Sequence, residues 1–174
     1  ADERGAGPHG SIANDETRRL WRDVGPHSVL SWQVARLVPE LVDRFGVRVI
    51  EGCETGAPLW HLLHERPGSP WRDAVRVLTH VHSPSAWIEP LNRRVEQGRW
   101  MHELQRRECE QTRWSDGVVT PSHGMAGWVR RHWGVEASVI RYPVLPRGAP
   151  EVDAGTDALF VGRLEYRKGI DTLA

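Results

Sequence analysis

The 174-residue sequence is almost without lysine: Lys168 stands alone against 22 arginines. Phenylalanine and tyrosine are scarce as well, two of each, although nine residues are tryptophan. An excess of charge of either sign is missing, since 23 basic residues balance 23 acidic ones. That balance excludes the basic footprint of a nucleic-acid binder and the acidic tail of a solvating segment. No apolar run nears the roughly 20 residues that span a bilayer, which excludes a membrane helix. Cys53 and Cys109 are isolated, without CxxC spacing. A disulfide framework is thereby excluded, and a reducing, cytoplasmic setting is expected. The chain opens at Ala1 with neither an initiator methionine nor a charged leader before an apolar stretch. No secretion signal is visible, and a piece of a longer polypeptide is expected.

What is present is an alternation of strand and helix patterns. Residues up to about Asp15 are rich in Gly, Pro and charge and lack periodicity, and segment 1–28 as a whole is expected to be poorly ordered or unmatched. Leu30, Val34, Leu37, Val38, Leu41 and Phe45 then share one helix face. Ser28 or Ser31 is placed to cap that helix and Gly46 to end it. Val47–Ile50 reads as a strand, Leu59–His64 as a short helix behind Pro58, and Val75–Val81 as a second strand. A long helix is predicted over Pro90–Trp114, then a strand at Gly117–Thr120. A helix at His123–Trp133 follows, capped by Ser122 and closed by Gly134, with a further strand at Ala137–Arg141. Prolines and glycines from Pro143 to Gly155 mark a linker. Ala158–Gly162 reads as a new buried strand and Ile170 as the start of a helix.

This alternation, without hairpin signals, predicts an α/β fold: a Rossmann-like parallel sheet with flanking helices. Ligands of such sheets bind beyond the carboxyl ends of the strands. That rule selects Glu51, His80 to Ser85, Thr120 to Ser122 and Gly162 to Gly169.

The most informative segment is Leu159-Phe160-Val161-Gly162-Arg163-Leu164-Glu165-Tyr166-Arg167-Lys168-Gly169-Ile170-Asp171. Gly162 admits a ligand close to the backbone, and Arg163 and Lys168 bring two cations to a helix start, a chemistry suited to a diphosphate. On spacing alone the same residues also fit a solvated basic turn. Gly-Arg-Leu-x-x-x-Lys-Gly-x-Asp after a strand resembles the opening of the second domain of GT4-type, group 1 glycosyltransferases, which have the GT-B fold. Val49-Ile50-Glu51, Val77 to Pro84 with its His-Val-His, Ser115 to Ser122 and Val139 to Val144 resemble further family segments in the same order.

The resemblance implies a partial GT-B fold: an incomplete first domain over 29–142, an interdomain linker over 143–156 and the start of a nucleotide-sugar domain over 157–174. It implies a retaining transferase that moves a sugar from a nucleotide-diphosphate sugar to an acceptor, with no bound metal and no other cofactor. Gly162, Arg163 and Lys168 would hold the donor diphosphate, and His82 would face the donor sugar as the catalytic-site histidine. Ser83, Ser122 and Glu51 would line the cleft, while Glu108 and Asp116 would tie helix to loop. The acceptor is left open, whether sugar, lipid or small molecule, and so is peripheral contact with a membrane. The fragment itself is expected to be inactive, because the family's first Gly-rich loop and its downstream carboxylate motif have no match here.

Two other readings compete. His80 and His82 on one side of a strand end, with His61 and His64 nearby and Glu51, Glu54 or Asp73 as third ligand, fit a metal-dependent hydrolase. A non-catalytic glycosyltransferase-like interaction module would instead use Trp100, Trp114, Trp128 and Trp133 as its face.

Overall fold

The computed structural model describes residues 15–93, 98–143 and 160–173. Helix α1 (Asp15–Val24) turns at Gly25 into α2 (Pro26–Phe45). Strand β1 (Val49–Cys53), α3 (Trp60–Glu65), β2 (Arg76–His80), α4 (Ser85–Leu91) and α5 (Arg99–Trp114) follow. Then come β3 (Gly117–Thr120), α6 (His123–Trp133), β4 (Ser138–Val139) and α7 (Ile170–Leu173). The four strands form one parallel sheet in the order β1-β2-β3-β4. Each crossover carries at least one helix, as parallel neighbours require. The expected Rossmann-like sheet with flanking helices is therefore present.

One core cluster joins Ala35 and Val38 of α2, Leu62 and Leu63 of α3, and Val75 and Val77 at β2, with Leu59 and Trp71. A second joins Val81, Val118, Met125, Val129 and Trp133, with Trp128 packed beside it. Helix α6 has the predicted bounds: Ser122 Oγ accepts from Met125 N at 3.2 Å, and Gly134 closes it at φ 67°. Gly46 ends α2 in the same left-handed conformation.

Several boundaries differ from expectation. Of segment 1–28, expected to be poorly ordered or unmatched, residues 1–14 lie outside the described residues, and α1 and the start of α2 lie in the rest. Gly25, not Ser28 or Ser31, precedes the first turn of α2. Both serines are buried inside the helix, where their hydroxyls accept from Arg107 Nη1 (2.8 Å) and His61 N (3.1 Å). Strand β1 runs three residues further than read, to Cys53. The helix expected over Pro90–Trp114 is two helices: Pro90 lies in the last turn of α4, and Gly98 precedes α5. The strand read at Ala137–Arg141 shrinks to Ser138–Val139. Of the strand expected at Ala158–Gly162, residues 158 and 159 lie outside the described residues, and Phe160 to Gly162 have no strand pairing.

Helix α5 has an inward face that hydropathy does not reveal. Leu104, Glu108 and Gln111 fall at four- and three-residue steps and are buried with Arg107 and Thr112. Buried polar groups need partners: Arg107 finds Ser28 of α2, Thr112 the carbonyl of Glu108, and Glu108 and Gln111 the loops. Gln111 Oε1 accepts from Leu59 N at 2.7 Å, while its Nε2 donates to Cys53 O at 2.9 Å. The helix thus fixes the chain that leaves β1.

Candidate active site at the carboxyl end of the sheet

β1 and β2 run in register from Val49↔Arg76 to Cys53↔His80, so their last residues are level. The loops that follow, Glu54-Thr55-Gly56 and Val81-His82-Ser83, meet above the sheet. Glu54 is fully buried there. Its Oε1 accepts from Ser83 N at 2.6 Å and from Thr55 Oγ1 at 3.2 Å. Its Oε2 lies 3.2 Å from His82 Nδ1, and the His82 side chain is 41% exposed at the mouth. His82 is therefore a ring between a buried carboxylate and solvent.

Glu108 of α5 supports both loops from below. Its Oε1 accepts from Gly56 N (3.2 Å) and Ser85 Oγ (2.8 Å), and its Oε2 accepts from Ser85 N (2.8 Å). Burial pushes its carboxyl up and nearby Glu54 adds to this; the Ser85 and Gly56 donors oppose it, and the result is about 7. Gly56 has φ 82°, and a side chain there would meet His27 Nδ1 at 2.8 Å. This one turn thus admits only glycine without rearrangement.

The other expected residues are placed as follows. Glu51 lies within β1, exposed, with its carboxylate 3.7 Å from His80 Nδ1. His80 sits behind His82, ring centroids 6.2 Å apart, and beside Tyr142 at 5.8 Å. Ser122 follows β3 and caps α6. Arg163 pairs with Glu165 at 3.0 Å and is largely exposed, as is Lys168, whose N–H closes a turn on Glu165 O. Their segment leans on the end of α4: Arg93 pairs with Asp171 at 2.7 Å and lies over the Tyr166 ring at 4.4 Å. No contact between this segment and His82 is recorded among the described residues.

Sequence reasoning passed over Glu54 except as a conceivable metal ligand. Ending β1 at Ile50 put Glu51 just past the strand; with the end at Cys53 the same rule selects Glu54. Among the described residues no three His, Cys, Asp or Glu side chains converge as a metal site requires. His61 and His64 stay with α3, where His64 stacks on Trp60 at 4.9 Å. The hydrolase reading thus lacks its ligand set. Trp133 is buried and Trp128 packs against it, while Trp100 and Trp114 are 47% and 40% exposed. The four tryptophans do not form one face.

At the amino end of the sheet Asp116, expected to tie helix to loop, joins strand β2 to the turn after α3. Its carboxylate accepts from Val77 N at 2.8 Å and from both terminal nitrogens of Arg66, at 2.7 and 3.2 Å. Partial burial pushes the carboxyl up, but the Arg66 and Val77 donors and the Arg66 and Arg76 charges outweigh it, and the group stays below its ordinary value.

Searches of curated proteins and of solved structures found no match. Among the described residues no helix is long and apolar enough to cross a membrane. The family comparison is decisive. Residues 2–149 match the family model described as Glycosyltransferase Family 4. With its parallel sheet and helices in place, the chain belongs to Glycosyltransferase Family 4, whose general activity is transfer of a sugar from a donor to an acceptor.

Proposed function

We propose that the chain is part of a retaining glycosyltransferase that moves a sugar from a nucleotide-diphosphate sugar to an acceptor hydroxyl. The observation that carries this reading is His82, half-exposed at the carboxyl end of a parallel sheet and backed by buried Glu54. That is where a Rossmann-like sheet receives its ligand. His82 offers a ring nitrogen to a sugar hydroxyl, and Ser83 and Ser122 are assigned to the same cleft. Glu51 lies further out and serves this reading only through His80.

Gly162, Arg163 and Lys168 are assigned to the donor diphosphate. Charge grows on the leaving nucleotide as the glycosidic bond breaks, so cations fixed there stabilise the transition state more than the ground state. Arg suits two oxygens at once and Lys acts as a point charge. Both are exposed, with Arg163 engaged only by Glu165 among the described residues. Cys53 and Cys109 are free thiols, which accords with a reducing, cytoplasmic setting.

The test is a transfer assay of the full-length enzyme with a panel of nucleotide-diphosphate sugars, and a product analysis of anomeric configuration. Arg163→Ala and Lys168→Ala should each cost about 2–4 kcal/mol of transition-state stabilisation, seen as a fall in kcat/KM. Near-wild-type turnover in both would remove the diphosphate assignment, and an inverted product would remove retention.

A further inference from the structure

Glu54 meets none of the ordinary reasons for a carboxylate to be fully buried. It has no arginine or lysine partner among its recorded contacts, and it belongs to neither apolar cluster. Burying a charge is costly unless its oxygens are satisfied. One oxygen is satisfied: Ser83 N–H, at 2.6 Å, and the Thr55 hydroxyl both point at Oε1. The other, Oε2, is buried, has no aligned hydrogen bond, and lies 3.2 Å from His82 Nδ1. The distance is that of a hydrogen bond and only the angle falls short. His82 is half-exposed, so a small turn of its ring corrects the angle.

We infer that Glu54 is a positioning residue: it holds the neutral His82 ring as the Nδ1–H tautomer, so that Nε2 faces the cleft as a hydrogen-bond acceptor for a ligand hydroxyl. A ring nitrogen is protonated or bare according to the bond its partner nitrogen makes. A carboxylate at Nδ1 is acceptor-only, so the proton sits at Nδ1. The outward nitrogen then carries a lone pair and selects a ligand that presents O–H, as sugars and their acceptors do. Without Glu54 the ring falls back on the Nε2–H tautomer that neutral histidine favours, and the outward nitrogen presents a donor instead. On its other side the ring faces His80, 6.2 Å away between centroids, whose Nδ1 lies 3.7 Å from the Glu51 carboxylate.

The Ser83 bond makes this testable by a single near-isosteric change. In Glu54→Gln, Ser83 N–H keeps the side-chain oxygen at the Oε1 position. The amide NH2 then occupies the Oε2 position and donates to His82 Nδ1. The proton must move to Nε2, so the tautomer inverts. A residue that served packing alone would leave it unchanged.

The experiment is a long-range 1H–15N correlation spectrum of the histidine rings in this chain, without ligand and at alkaline pH, where imidazoles are neutral. His82→Gln identifies the His82 signals, and the backbone amide spectrum checks the fold. The expected result is a majority Nδ1–H form in the wild type and a majority Nε2–H form in Glu54→Gln. Glu54→Asp, which withdraws the carboxylate, should give a mixture and serves if Glu54→Gln fails to fold. A majority Nε2–H form in the wild type, or the same ratio in wild type and variants, overturns the inference. The inference rests on reading His82 as a ligand-facing residue. Because no sugar donor is used, an inverted tautomer together with a failed transfer assay would fault the functional reading alone.

Discussion

The two ends of the sheet treat their acids in opposite ways. At the amino end, Asp116 sits against Arg66, with Arg76 at 3.4 Å, and its carboxyl is held below the ordinary range. At the carboxyl end, Glu108 and Glu54 are wholly buried, their recorded partners are N–H groups, hydroxyls and His82, and burial lifts Glu108 to about 7. The first arrangement neutralises charge and fastens a strand to a turn. The second buries two carboxyl groups beneath a solvent-facing imidazole with no arginine or lysine among their partners. A buried acid whose carboxyl is pushed up, as that of Glu108 is, marks a candidate functional site. The difference accords with the proposal that the carboxyl end receives the ligand.

The comparison breaks most visibly if Asp116 is removed. Asp116→Ala leaves the Arg66 guanidinium, 12% exposed, without its carboxylate. The pair is only partly buried, so losing its charge-assisted hydrogen bonds costs about 1.5–3 kcal/mol, and urea denaturation should show a loss of that order without any change in His82. Glu108 gives the next effect, and it is a slope. Its folded value, about 7, lies above the ordinary 4.5, so between them the folded chain binds more protons than the unfolded one. Stability from this group is full below 4.5 and is lost as pH rises through 7, by about 1 kcal/mol per pH unit. Glu108→Gln should lack that slope in denaturation curves taken across the window, even where its absolute stability is lower. Asp116, with its value lowered, contributes in the reverse sense: its share is lost as pH falls. The smallest effect belongs to Ser122. If it acts mainly as the cap of α6, Ser122→Ala should cost about 1 kcal/mol, and calorimetry should show the loss while transfer by the full-length enzyme changes little.

The fold was legible where local signals agreed. In α6 the cap, the apolar spacing and the closing glycine all pointed to the same bounds, and β3 is a plain β-branched run. Boundaries failed where one signal was taken for another. Pro90 looks like a helix start because proline suits a first turn, yet here it ends α4. Ser28 and Ser31 look like caps because serine suits that role, yet they lie under α5 and α3 as buried acceptors. The interior of α5 was least legible of all. Glu108 and Gln111 are polar by any hydropathy scale, and only the loops they hold explain why they are buried. The candidate site was half legible. His82 follows from the strand-end rule, but Gly52 and Cys53 do not look like strand residues, so β1 was cut short and Glu51 stood in for Glu54. The residues 160–173 carry the phosphate assignment by motif, and their geometry toward His82 was not readable from sequence.

The most direct measurement of which end acts is a chemical-shift map of the isotope-labelled chain titrated with nucleotide-diphosphate sugars, UDP-glucose and GDP-mannose as probes. The amino end offers a rival cleft of about 520 Å³ lined by Arg66, Arg72, Arg76 and Trp114. The account predicts perturbations at Thr55, His82 and Ser83, with Arg163 and Lys168 responding to the diphosphate. Perturbations confined to Arg66, Arg72, Arg76 and Asp116 would contradict it.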